Sequence, residues 1–114
     1  MNEHVISDIV ETVTEIDVLL SQSKEKRYAG VFRRVAESSF DPDLFWKRLL
    51  APEIWGGSGS VVDQIFIYGE NEDSKKFWQL TAKLGEQIFR SGKSNSSINL
   101  LTGRLKRYYN MGPQ

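Results

Sequence analysis

Trp55-Gly56-Gly57-Ser58-Gly59-Ser60-Val61-Val62-Asp63-Gln64-Ile65-Phe66-Ile67-Tyr68 runs from a glycine-rich turn straight into a mostly apolar segment. The architecture of the whole chain hangs on whether residues 61–68 are a strand or a helix. Their β-branched and aromatic content favours a strand. Two features oppose it. Ser60 followed three residues later by Asp63 fits a capping box, and Gly69 fits the position just past a helix end. No other segment of the chain reads as a strand, and a lone strand cannot pair its backbone. A short helix is therefore expected.

Outward from there, the chain alternates helical patterns with short breaks. Val5, Ile9, Val13, Ile16 and Leu20 step by four, four, three and four, which is one face of an amphipathic helix. Ser23 is a candidate cap for the next helix, whose stripe is Tyr28, Val31, Phe32, Val35 and Ala36, with Lys26, Arg33 and Arg34 opposite. Asp41-Pro42 opens another. The Asp caps, and Pro sits where its missing N–H costs nothing. Leu44, Phe45, Leu49 and Leu50 supply its apolar side, and Pro52 ends it. Asn71 can cap a long helix with Glu72 and Asp73 in its first turn and Phe77, Leu80, Leu84 and Ile88 as its stripe, flanked by Trp78 and Phe89. Gly92 stops it, and Lys93 to Ser97 form a polar loop. A last helix from about Ser97 carries Ile98, Leu101, Leu105 and Tyr108 on one face, and Met111 to Gln114 fray. The expectation is all-α: a compact bundle of five to six helices, one domain over residues 1–114, with a Gly-rich loop at 55–60.

Composition excludes several classes of function. The chain of 114 residues has no cysteine, so it has no disulfide framework, thiol nucleophile or thiolate metal site. The N-terminus is acidic and lacks the basic and apolar regions of a signal peptide, and no apolar run approaches the length of a bilayer span. A cytoplasmic protein without membrane attachment is expected. Lysine plus arginine equals aspartate plus glutamate at 15 each. The placement is uneven. Residues 1–23 carry Glu3, Asp8, Glu11, Glu15 and Asp17 with no cation, while residues 81–114 carry six cations and only Glu86. Either the two ends complement one another inside the fold, or one of them faces a charged partner.

Each candidate chemistry has a plainer competitor. The glycine turn resembles a phosphate cradle only in composition: no Gly-Lys-Ser/Thr follows, and no strand precedes. The simpler reading is a structural turn built by Gly56, Gly57, Gly59, Ser60 and Asp63, with Trp55 packed beneath it. Ser58 and Ser60 lack an evident base, since His4 is the only histidine and sits near a chain end. Asp41 with Asp43, and Glu70 with Glu72 and Asp73, fall at helix starts, where acids offset the helix dipole. No metal or cofactor is expected. Asp8, Glu11 and Glu15 lie on one helical face, either a solvated surface or an acidic docking face, with Asp17 and Trp55 as further contact candidates. Arg104, Lys106, Arg107 and Tyr109 mix cations with aromatics as single-strand nucleic-acid binders do, although the zero net charge argues against it.

Trp55, Gly56, Gly57, Gly59, Ser60 and Asp63, followed by the helix beginning Phe77-Trp78-Gln79-Leu80, resemble a family of small bacterial proteins. That family carries an aromatic-Gly-Gly-x-Gly-Ser-x-x-Asp segment ahead of a long helix. The resemblance covers residues 54 to about 91. Ser58 stands where the family pattern has methionine, and Val62 where it has asparagine. The resemblance implies a small cytoplasmic helical domain, similar to the immunity-type partners of secreted polymorphic toxins. The expected function is thus a non-enzymatic immunity protein or antitoxin that docks on a cognate protein. The alternative is a small nucleic-acid-associated regulatory domain.

Overall fold

A computed structural model describes residues 2–23, 26–56, 59–68 and 72–108, without the side chains of Asn2, Glu3 and residues 65–68. All regular structure among them is helical: α1 Asn2–Ser21, a single 3-10 turn Lys26–Tyr28, α2 Ala29–Glu37, α3 Pro42–Leu49, α4 Pro52–Trp55, α5 Val61–Tyr68, α6 Glu72–Arg90 and α7 Ser96–Tyr108. Six of these have eight residues or more, and α4 is one turn. None of the described helices is long and apolar enough to cross a membrane.

The long helices α1 and α6 are the frame. α1 packs against α2 on one side and α6 on the other, α7 lies on α6, and α3 lies on α2. The stripe of α1 is buried as its spacing predicts, from Ile9 through Val13 and Ile16 to Leu20, with Ile6 added at the start. Thr12 joins it because its hydroxyl donates back to the Asp8 carbonyl and brings no unpaired group into the core. Phe32 of α2 meets Phe77 of α6 edge-on at 6.3 Å, and Phe77 meets Trp78 in the same way at 5.0 Å. Edge-to-face pairs of this kind favour one packing over many.

α6 and α7 cross closely. A Cβ on Gly85 would fall on the Thr102 hydroxyl, so only glycine lets α7 come this near. Thr102 in turn donates to the Ile98 carbonyl, which satisfies a buried hydroxyl locally.

The helix ends explain most boundaries. Asp41 caps α3, accepting from the Leu44 N–H, with Pro42 at the first helical position. Asn95 accepts from the Ile98 N–H and starts α7 one residue ahead of expectation. Gly92 takes φ +82° just beyond α6. Glu72 and Asp73 occupy the first turn of α6, while the expected cap Asn71 and the expected stop Gly69 lie outside the described residues, as does 111–114.

Several expectations need correction. Ser23 does not cap α2: its hydroxyl donates backward to the Leu20 carbonyl, and Tyr28 holds the position before α2. Pro52 does not simply end α3. It opens the one-turn α4 after an extended Ala51, at the first position where proline is preorganised for a helix. Tyr108 is 80 % exposed rather than part of the stripe of α7, where Thr102 is buried instead. Trp78 is in the core, whereas Phe89 is exposed although its neighbour Ile88 is buried.

Candidate functional site

The described end of the glycine turn, Gly59 and Ser60, is tied to the start of α5. Ser60 accepts from the Asp63 N–H at 3.3 Å, and the Asp63 carboxylate accepts from the Gly59 N–H at 3.1 Å. This reciprocal pair starts α5 and is the reason residues 61–68 are helical despite their β-branched content. Gly59 sits at φ +88°, the left-handed region that side chains avoid. Gly56 does not: its φ is −110°, and its role is close approach, since a Cβ there would lie 3.2 Å from the Pro52 Cβ. Gly57 and Ser58 lie outside the described residues. Ser60 is buried and its oxygen is in use.

Trp55 is removed from the set of contact residues. It is 6 % exposed, and its indole N–H donates to the Leu49 carbonyl at 2.7 Å. It ties the end of α3 to α4 from within the core. The reason is its position on a one-turn helix whose neighbour Ile54 is buried as well.

The acids of α1 divide into two groups. Asp17 lies nine residues from Asp8, about 180° around the helix. It faces α2, where Arg33 grips it through Nε at 3.1 Å and a terminal nitrogen at 3.0 Å, with Ser21 also bonded to it. The Asp17 carboxylate, by hydrogen bond first and charge second, lifts the Arg33 guanidinium above its ordinary value. Asp17 thus does structural work and leaves the docking row. Asp8, Glu11 and Glu15 are exposed, and among the described residues their carboxylates have no hydrogen bond or ion pair. The basic C-terminal segment does not complement them. Glu86 of α6 takes Lys106 at 2.6 Å and Arg90 at 3.9 Å.

Beside this row runs a groove of about 980 Å³ between α1 and α6. Glu15, Val18 and Leu19 line it from α1, and Lys76, Leu80 and Lys83 line it from α6. Gln87 lines it too. Its amide donates to the Asp8 carbonyl, and its buried Oε1 has no donor among the described residues. Sequence reading missed the α6 side of this groove. The signal for it is the spacing of Lys76, Lys83 and Arg90, seven residues apart and so on one face, but the partner wall is 60 residues away in the chain.

The cationic candidates of α7 are exposed to different degrees. Arg104 and Arg107 are exposed, Lys106 is half-buried against Glu86, and Tyr109 lies outside the described residues. No three metal-ligating side chains come together among the described residues. Neither a known family model, nor a curated protein, nor a solved structure matches the chain.

Proposed function

We propose that the protein is a non-enzymatic binding module that docks on a cognate protein through the acidic face of α1. The observation carrying this reading is the row Asp8, Glu11 and Glu15, exposed and unpaired among the described residues on a helix whose other side is core. Asp17, on another face of the same helix, has its partner in Arg33. Three that have none are available to a basic surface, where they speed encounter and select the partner.

The immunity-type assignment, with a toxin as the cognate protein and the cytoplasm as the place of action, rests on the resemblance carried by Trp55 to Asp63. A toxin active site blocked by a shape-matched acidic patch needs no catalytic group in its inhibitor.

The test is Asp8→Lys with Glu11→Lys and Glu15→Lys. Helicity and melting temperature stay as in wild type. With both forms as bait in an extract of the native host, wild type retains a protein of basic surface and the variant loses it. Association with that purified protein slows, most strongly at low salt, where screening is least. Identical capture by both baits, or a variant that melts early yet binds normally, defeats the reading.

A further inference from the structure

Two exposed rows of opposite sign look out of the same side of the molecule. Asp8, Glu11 and Glu15 fall within about 60° of one another on α1, and Lys76 and Lys83 within about 20° on α6. Glu15, Lys76 and Lys83 all line the α1–α6 groove, which sets the rows side by side. Among the described residues none of these side chains has a hydrogen bond or ion pair.

The register between the rows follows from one bond. Gln87, near the end of α6, donates to the carbonyl of Asp8, near the start of α1. The groove continues along Leu19 and Gln22 of α1 and along Lys76 and Gln79 of α6, so the two helices are antiparallel. At about 1.5 Å per residue, Lys83 lies about 6 Å back from Gln87. That is level with Thr12, between Glu11 and Glu15. Lys76 is level with Leu19, about one turn beyond Glu15.

Opposite rows side by side make a face that complements itself in one orientation and not in the other. A two-fold axis along the groove lays the α6 of a second copy over this α1, and its α1 over this α6, at unchanged height. Lys83 of each copy then meets Glu11 and Glu15 of the other. A two-fold axis across the groove lays α1 on α1 and sets carboxylate against carboxylate, so charge rejects it.

Size sets the strength. The 20 residues of α1 are about 30 Å long. Two helices side by side are about 20 Å wide, which gives a face of about 600 Å². A stable interface covers about 800 Å² on each partner. Leu19 and Leu80 are already half-buried against the core, so the contact is mainly one of charge. Such an association is reversible and weakens as salt rises.

We propose that this face joins two copies of the chain about a two-fold axis along the α1–α6 groove, with Lys83 of each copy facing Glu11 and Glu15 of the other. The inference goes beyond the docking reading and does not need it. Where both hold, the partner's basic surface and the second copy's α6 compete for the same carboxylates, and partner binding separates the dimer.

The test is sedimentation of the purified full chain over a concentration series at low salt. The average mass of wild type rises with concentration toward that of two chains, and added salt returns it to one. Glu11→Lys with Glu15→Lys makes the face basic throughout, and Lys76→Glu with Lys83→Glu makes it acidic throughout. Each variant alone, at unchanged helicity and melting temperature, self-associates more weakly by about tenfold or more. Mixed in equal amounts, the two form a heterodimer at least as tight as the wild-type dimer. A wild type that stays monomeric throughout, variants that self-associate as wild type does, or a mixture that forms no heterodimer would overturn the proposal.

The two readings fail separately. If the acidic triple reversal loses the native partner while wild type is monomeric, docking through α1 stands and the dimer falls. If the mixed variants pair as described while the triple reversal keeps the native partner, the dimer stands and docking falls.

Discussion

The turn at Trp55–Asp63 and the face of α1 bearing Asp8, Glu11 and Glu15 both stand out in the sequence, and the fold treats them in opposite ways. In the turn, the polar groups discussed are spent: Asp63 on the Gly59 N–H, Ser60 on the Asp63 N–H, and the Trp55 indole on the Leu49 carbonyl. On α1 the three carboxylates are spent on nothing among the described residues. A prominent motif is thus not by itself an available one. What marks a surface for recognition is polar chemistry that folding leaves unused beside exposed apolar area.

The contrast breaks most visibly at Trp55. Trp55→Ala removes a buried ring and orphans a carbonyl, and it should cost about 3–5 kcal/mol in urea unfolding. Trp55→Phe keeps most of the packing but loses the donor, and should cost about 1–3 kcal/mol. If Trp55→Ala leaves the unfolding midpoint unchanged, Trp55 is not the core tie between α3 and α4 described. Gly59→Val comes next. Among the described residues no atom lies within 4 Å of a Cβ placed there, so the loss of about 1–2 kcal/mol is set by backbone strain. Gly59→Asn should recover much of it, because asparagine tolerates this region. Equal losses for Val and Asn in a thermal melt would place the cause elsewhere. The smallest effect sharpens the other half of the contrast. Asp17→Asn should lower the melting temperature slightly, and less so in high salt, because it breaks the bidentate contact with Arg33. Glu11→Gln should leave it unchanged. A larger loss for Glu11 than for Asp17 would reverse the division drawn between them.

Legibility followed the range of the interaction. The Ser60–Asp63 box, the Asp41 cap, the Gly92 stop and the stripe of α1 are local, and all were readable from spacing. Misreadings arose where a residue had a choice of partners. Ser23 stands ahead of the second stripe, yet Tyr28 holds the position before α2, and Pro52 suits an end but serves a start. For Trp55, proximity to a glycine turn says nothing about which way the ring faces. The acidic row was visible on α1, and spacing already sets Asp17 on another face of the helix, but that Arg33 of α2 holds it was not legible.

By itself, then, the sequence determined the helical class, because helix spacing, caps and stops are set within a few residues of one another. It also determined which face of α1 is apolar. Only the tertiary structure decided which acids are free and that a groove exists at all. Lys76 and Lys83 become the far wall of a trench beside Glu15 and Val18 only once α6 lies along α1. Nothing within one helix specifies the neighbour its charges will face, since that depends on how buried stripes far apart in the chain pack together.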